Sequence, residues 1–296
     1  MSRIMSKSVV ACTIDTEECS VVRLKTSSGS GYILSACKTM PYGLGGLASG
    51  KRMRFLQKLD HHLKEWRQEE LALCVAPEIY LPLPTCFPIG ASPEECSEYC
   101  GIEAGYFLNH PEEYRCDCIH YGMSDEAPDN RLLLFYSAEP CRTASEHFST
   151  EHRIVFKGTS QLPLLYLSRF TVKPQIILEL ENNYVLLTIS NNGRMEKFSC
   201  RPVKNLAETE YFAIRELINN PICRETEVQI AGTRASKAMI TLIEKKTSLT
   251  MKPISIPQAM FIGNPQQFKI SSPTVIKAIS AALMALEKYR EPPNFS

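Results

Sequence analysis

The sequence lacks any long apolar run: nowhere do about 18 apolar residues follow one another, as a helix crossing a bilayer requires. It also lacks the pattern of a secretory leader, because the opening MSRIMSKS is short and polar and no apolar stretch follows it. These absences predict a cytoplasmic chain that is not itself inserted in a membrane. Long blocks of one charge are missing too. With 33 basic and 32 acidic residues the formal charge is +1, so nucleic acid, which demands a basic footprint, is not an expected partner. No serine or cysteine nucleophile pattern accompanies His61, His62, His147 and His152, which read as solvated surface side chains.

What is present is the composition of a globular chain. At 296 residues, 44% hydrophobic and 22% charged, it is long enough for two compact lobes. Twelve cysteines are scattered through it, several in apolar strand-like runs, and in a chain without a leader they are expected to be reduced and buried.

The first forty residues predict three strands in a meander, VVACTID (9–15), CSVVRLKT (19–26) and GYILSACKTM (31–40), the last two joined by a turn at SSGS. Residues 47–69 place Met53, Leu56, Leu59, Leu63 and Trp66 at spacings of three and four, which predicts one long amphipathic helix. ELALCVAPEIYLPLP (70–84) returns to strand character until its prolines end it. A helix over PEECSEYCGIEAGYFL with Pro93 in its first turn follows, then a strand at EEYRCDCIHYG, a loop at MSDEAPDN and a strand at RLLLFYSA. Together these predict a small α/β unit at about 76–150.

The informative feature is a repeat. QIILELENNYVLLTISNNGRMEKFSC (175–200) repeats the order of the first meander: apolar strand, acid-x-acid, turn, strand, polar turn with Gly, strand. Setting Asp15 on Glu179 gives an offset of 179 − 15 = 164, which also sets Glu17 on Glu181 and Gly29 on Gly193. A helix with Tyr211, Ile214, Leu217 and Ile218 on one face follows, then the strand EVQIAG, the helix RASKAMITLIEKKT and a last apolar helix, PTVIKAISAALMALEKYR. The expected fold is a duplicated α/β protein. Its first lobe spans 8–172, including the inserted unit, and its second 173–290.

Two other groupings invite a chemical reading. Cys96 and Cys100 share a helical face, and Cys116, Cys118 and His120 alternate onto one face of a strand, so a zinc site is possible, although the spacings match no common zinc framework. Small thiols facing a helix–sheet core explain them equally well. Tyr99, Tyr106 and Phe107 lie near the LPLP turn, where aromatics either pack the core or anchor an incoming peptide.

With these elements in order, the chain resembles the actin-like ATPase superfamily, whose ribonuclease H-like lobes are duplicated. Within it, the chain is similar to the PilM family of type IV pilus assembly proteins, relatives of the cell-division protein FtsA. The family-specific likeness is the middle unit, from the LPLP turn through EECSEYCGIEAGYFLNHPEEYRCDCIHYG, which looks like the small subdomain inserted in the first lobe. AGTRASKAMITLIEKKTSL looks like the family's adenosine strand and helix.

In nucleotide-binding members the first phosphate turn reads acid-x-Gly followed by Ser or Thr: glycine lets backbone N–H groups approach phosphate, and the acid orients metal-bound water. Carried onto this sequence, Asp15 takes the acid position, while Glu17 and Glu18 stand where Gly and a hydroxyl are expected. In the second turn Glu179 takes the acid position and Glu181 that of the glycine; in the adenosine turn Gly232 is followed by Thr233 and Arg234 rather than a second Gly. Like charges about 4 Å apart repel by about 1 kcal/mol in water and about 4 kcal/mol at an effective dielectric near 20. The added carboxylates oppose a triphosphate, so these six positions, Asp15, Glu17, Glu179, Glu181, Gly232 and Thr233, are read as a vestigial nucleotide site, with no catalytic residue, metal or cofactor.

The resemblance implies a non-catalytic cytoplasmic scaffold of a type IV pilus or related secretion assembly. Its partner would be the N-terminal cytoplasmic peptide of a single-span inner-membrane protein, and self-association stays open. The alternative is an ATP-binding switch with Mg²⁺ among Asp15, Glu17 and Glu179; a third reading is a small-molecule kinase of the same superfamily.

Overall fold

The computed structural model describes residues 7–27, 31–48, 50–122, 129–257, 260, 262–263 and 272–287. Gly29, most of the SSGS turn and most of the MSDEAPDN loop fall outside the described residues, as do residues 288–290 of the helix expected over 273–290.

Three sheets organise the chain. The first has the order β14-β3-β2-β1-β4-β8. Strands β1 (Ser8–Ile14), β2 (Cys19–Thr26) and β3 (Tyr32–Met40) form the antiparallel meander, and β4 (Glu70–Val75) and β8 (Arg153–Gly158) add to it in parallel. β14 (Ile262–Gly263) pairs with the outer strand β3. The second sheet has the order β11-β10-β9-β12-β13, built from β9 (Gln175–Leu180), β10 (Tyr184–Asn191), β11 (Arg194–Pro202), β12 (Val228–Ala231) and β13 (Met251–Pro253). Apart from β14 the two orders correspond strand for strand, meander then parallel additions, so the chain is duplicated. The third is the small antiparallel sheet β5-β7-β6, from β5 (Leu81–Phe87), β6 (Tyr114–His120) and β7 (Asp129–Ser137).

The chain divides into two compact units. The first takes the described residues of Met1–Ala76, Ala138–Tyr166 and Ile256–Arg290; the second takes those of Pro77–Ser137 and Leu167–Ser255. This differs from the sequence reading in three places. The small α/β segment expected as an insert of the first lobe is grouped with the second sheet, in the second unit. Helix α4 (Ala138–Phe148) lies in the stretch read as part of the insert, yet it packs on β4 and β8, because Cys141, Ala144 and Phe148 complete the core of the first sheet. Helix α8 (Pro273–Leu286) lies in the stretch read as the second lobe, yet it packs on β1, β2 and β4. Every residue from Thr274 to Met284 is buried, and all but Thr274, Lys277 and Ser280 are apolar. Such a helix needs a broad apolar face, and the first sheet supplies one.

In the first unit, α1 (Gly45–Ala48) and α2 (Arg52–Leu63) cover one face of the first sheet with Phe55, Leu56, Leu59 and Leu63. The single helix expected over 47–69 is interrupted, and a 3₁₀ turn at Lys64–Trp66 ends it. Met53 is 58% exposed rather than buried, because the inward stripe starts at Phe55. Gly46 sits so close to the Phe55 ring that an added Cβ would stand 2.4 Å from Cδ2. Helix α5 (Gln161–Leu167) precedes the first strand of the second sheet, β9.

In the second unit, α6 (Leu206–Ile218) and α7 (Lys237–Thr247) cover β9, β10 and β12. The inward face of α6 is Thr209, Ala213 and Leu217, whereas Tyr211 is 57% exposed and Ile218 is exposed too. Of the four residues predicted to face inward, Leu217 does so and Ile214 packs partly against the same core, whereas Tyr211 and Ile218 face solvent. Between β10 and β11 a two-residue turn places both Asn192 (φ 48°) and Gly193 (φ 79°) in the left-handed region, the conformation that joins strands with a matching twist.

Helix α3 (Pro93–Phe107) packs on the small sheet. Its start is a capping box, in which the Ser92 side chain accepts from the Glu95 N–H and Glu95 accepts from the Ser92 N–H. Cys96, Cys100, Cys116 and Cys118 sit in the core between α3 and this sheet with Phe87, Leu133 and Phe135. Tyr80, in the segment leading to β5, meets Tyr184 and Phe198 of the second sheet edge to face, joining the small sheet to it within one unit.

Candidate functional site

The two turns that follow β1 and β9 are built alike. After β1, the Asp15 N–H donates to the Glu18 carbonyl at 2.9 Å; after β9, the Glu181 N–H donates to the Tyr184 carbonyl at 2.9 Å. Ile14 pairs with Cys19 and Leu180 with Val185. The structural offset is thus 181 − 15 = 166 and 185 − 19 = 166, two more than the 164 read from the sequence. Asp15 corresponds to Glu181, the first residue past each strand. Glu179 lies inside β9, opposite Leu186, and Glu17 is exposed. The acid-x-acid pattern misled because a second acid occurs after the turn acid in one half and before it in the other.

Each turn acid is held by a partner distant in sequence. Asp15 is buried, and its Oδ2 lies 2.8 Å from Lys277 Nζ of α8, an ion pair whose side chains are 9% and 2% exposed. Its Oδ1 accepts from the Thr16 N–H at 3.0 Å, and Thr274 Oγ1 stands 3.5 Å from Oδ2. Glu18 accepts from the Ser272 hydroxyl at the start of α8. On the other side, the Leu44 N–H donates to the Asp15 carbonyl at 2.8 Å, and a Cβ on Gly43 would meet that oxygen at 2.2 Å. The first turn is packed from both sides.

In the second turn, Glu181 Oε2 accepts from Thr233 Oγ1 at 3.1 Å and from the Thr233 N–H at 3.4 Å. Gly232 adopts φ 101°, and a Cβ there would fall 2.3 Å from the Leu180 carbonyl oxygen, so glycine is what allows the turn after β12 to lie against the end of β9. Arg234 fastens the same turn: its N–H donates to Leu180, Nε to Asn182 at 3.3 Å and Nη1 to Thr209 at 2.6 Å. Gly232, Thr233 and Arg234 thus bond inward, to the turn acid and its neighbours.

These residues do not fit a metal-bound phosphate as arranged. A carboxylate that orients metal-bound water must offer a free oxygen to the metal, and the Oδ2 of Asp15 that would serve is compensated by an ammonium. A glycine-type turn offers backbone N–H groups to phosphate, and here the Thr233 and Arg234 N–H groups are spent on Glu181 and Leu180.

Lys277 is the residue that sequence reasoning missed. It stands alone among the charges of an otherwise apolar and small-residue run, VIKAISAALMAL, and a lone buried ammonium requires a buried counter-charge. That requirement was the available signal.

The remaining candidates take structural places. All twelve cysteines are unbridged and nine are buried. A hydrogen bond with the Cys116 thiol, and burial after it, push Cys100 above the ordinary thiol range despite an opposing effect of Cys118; such a thiol is a reluctant thiolate. Among the described residues, no group of three or more His, Cys, Asp or Glu is arranged to hold a metal ion. His152 is buried rather than solvated, with Nδ1 3.3 Å from the Glu69 carbonyl. Tyr99 packs on Phe87 and Phe107 on Phe135, while Tyr106 is 89% exposed. No described helix is long and apolar enough to cross a membrane.

No protein-family model matches the chain, and no curated protein matches it. Solved structures do. A chain of a structure titled "PilM-PilN type IV pilus biogenesis complex" is 14% identical over 94% of this chain and 98% of its own length, with a TM-score of 0.69. A Bacteroides thetaiotaomicron protein described as having an actin-like ATPase fold and unknown function is 10% identical over 93% of this chain and 95% of its own, with a TM-score of 0.52. The duplicated sheets, the inserted small subdomain and this end-to-end likeness agree: the chain has the actin-like ATPase fold in a PilM-like form.

Proposed function

We propose that this chain is a non-catalytic scaffold at the cytoplasmic face of the inner membrane, serving a type IV pilus or related secretion assembly. Its partner in this reading is the N-terminal cytoplasmic peptide of a single-span membrane protein. The pilus half of the proposal is supported by the likeness to a chain of a PilM–PilN complex over nearly the full length of both. The non-catalytic half rests on one observation above the others, the buried Lys277–Asp15 ion pair, which puts a protein cation where nucleotide-binding relatives need an open carboxylate. Glu181 bonded to Thr233 supports it in the second turn.

Thermal unfolding with and without ATP and Mg²⁺ tests the non-catalytic half. A ligand at 100 times its dissociation constant stabilises by about 2.7 kcal/mol, and the expected result is no shift at millimolar nucleotide. A shift of that size refutes it. The partner half is tested by immobilising the chain and passing over it synthetic N-terminal tails of the single-span membrane proteins encoded beside it. Saturable retention of one tail is expected; retention of none refutes this half and leaves the nucleotide result standing.

A further inference from the structure

The first unit carries a pocket of about 320 Å³ lined by Tyr42, Gly46, Lys51, Arg54, Phe55 and Lys58. Its apolar wall is made by Tyr42 and Phe55, which meet edge to face with ring centroids 5.5 Å apart. Gly46 keeps the Phe55 side of the pocket open, since any side chain there would displace the ring. Around this wall stand three cations. Lys51 is the N-cap of α2, Arg54 is in its first turn, and Lys58 lies one turn further along, with Nζ 5.4 Å from the centre of the Tyr42 ring.

The charge pattern runs against the preferences of a helix. Helix N-termini favour acidic side chains, yet the first turn of α2 has none and its cap makes no side-chain hydrogen bond. The positive potential of the helix end therefore adds to that of the three cations. Two other cations of this segment are matched within the unit: Arg52 pairs with Glu139, and Arg67 with Asp60 and Glu151. Arg54 and Lys58 are exposed and have no ion-pair partner among the described residues.

We infer that this pocket is a docking site for an acidic peptide segment of a protein partner. One apolar side chain of the segment seats against Tyr42 and Phe55, and its flanking carboxylates lie over Lys51, Arg54 and Lys58. Charge complementarity names the partner's sign, and the aromatic wall names its anchor. The volume is at the lower end of the range for ligand pockets, suited to one large side chain and more than an inorganic phosphate needs. A membrane surface meets cations on a convex face, whereas these rim a hollow. The inference does not depend on the pilus reading.

The test uses the full chain and a fluorescein-labelled synthetic dodecapeptide, with adjacent Leu and Phe flanked by two Glu on each side in a Gly/Ser background. Two control peptides replace the Glu by Gln or the Leu and Phe by Ala. Fluorescence anisotropy is expected to show saturable binding of the first probe, at least about tenfold tighter than either control and weakening as salt is raised. Arg54→Glu and Lys58→Glu, both at exposed positions, are expected to weaken it by about tenfold or more while leaving the melting temperature in place. Equal binding of the acidic and Gln probes, or indifference to both charge reversals, overturns the inference. So does the absence of binding below millimolar concentration, or binding of phosphatidylglycerol vesicles through Arg54 and Lys58 without binding of the peptide.

Discussion

Replacing Lys277 by Met tests the most consequential contact in the structure. At 2.8 Å and an effective dielectric near 20, the gross attraction of the pair is about 6 kcal/mol, much of which offsets the cost of drying two ions. Removing only the ammonium leaves the Asp15 carboxylate buried with the Thr16 N–H and a distant Thr274 hydroxyl. The expected loss is about 3–5 kcal/mol, read as a fall in melting temperature on the order of 10 °C. Asp15→Asn strands the lysine and is expected to cost a similar amount. The double variant removes both charges, so its loss should be smaller than the sum of the singles by about 2 kcal/mol or more. Urea unfolding of the four proteins, followed by a probe of the first unit, gives the cycle. Additive single losses, or a Lys277→Met protein within about 1 kcal/mol of the parent, refute the claim that this pair locks the first turn.

Three further outcomes follow from the same geometry. Gly232→Ala combines a left-handed backbone with a Cβ 2.3 Å from the Leu180 carbonyl oxygen, and is expected to destabilise the second unit by about 1–3 kcal/mol in denaturant titrations; an unchanged midpoint refutes the close approach. Thr233→Val removes the hydroxyl that donates to Glu181 and is expected to cost about 1.5–3 kcal/mol, whereas Thr233→Ser should retain most of the stability. His120 is held below the ordinary histidine range by burial and then by Arg131, with Asp129 opposing. The unfolded chain therefore binds this proton more readily, so stability should fall as pH drops through about 6.5 and level off below the depressed folded value. His120→Gln should flatten that part of a melting-temperature profile, and an unaltered profile counts against the assignment.

Much of the fold was legible in the sequence because local chemistry and tertiary demand agree. The strands expected at 9–15, 19–26 and 31–40 stand at 8–14, 19–26 and 32–40, since the first two are nearly continuous apolar runs and the third has apolar residues at alternate positions, all bounded by turn residues. Pro93 does open its helix, behind the Ser92 cap. The site was less legible. Aligning the two halves by acid-x-acid gave an offset of 164, and only the matching backbone bonds of Asp15 and Glu181 reveal 166. The partners of those acids come from α8 and from the turn after β12, and no local pattern encodes which buried cation or hydroxyl meets which carboxylate. The inward face of α6 was half legible for a related reason: apolar periodicity tells that a helix has a face, and Leu217 and Ile214 do turn to the core, but Thr209 and Ala213 complete that face where Tyr211 and Ile218 were expected.

The position of α8 has a consequence for how the chain comes to be folded. Lys277 reaches Asp15 across 262 residues of sequence, and Lys7 Nζ donates to the Leu286 carbonyl across 279. While the ribosome is still making the middle of the chain, β1, β2 and β4 have one face uncovered and Asp15 has no counter-ion. The second sheet, whose strands and helices lie within 175–253, takes its core among the described residues from nothing made later and can close first. The earliest-made sheet is thus the last to be completed, and until α8 is synthesised it presents an apolar surface for chaperones to shield.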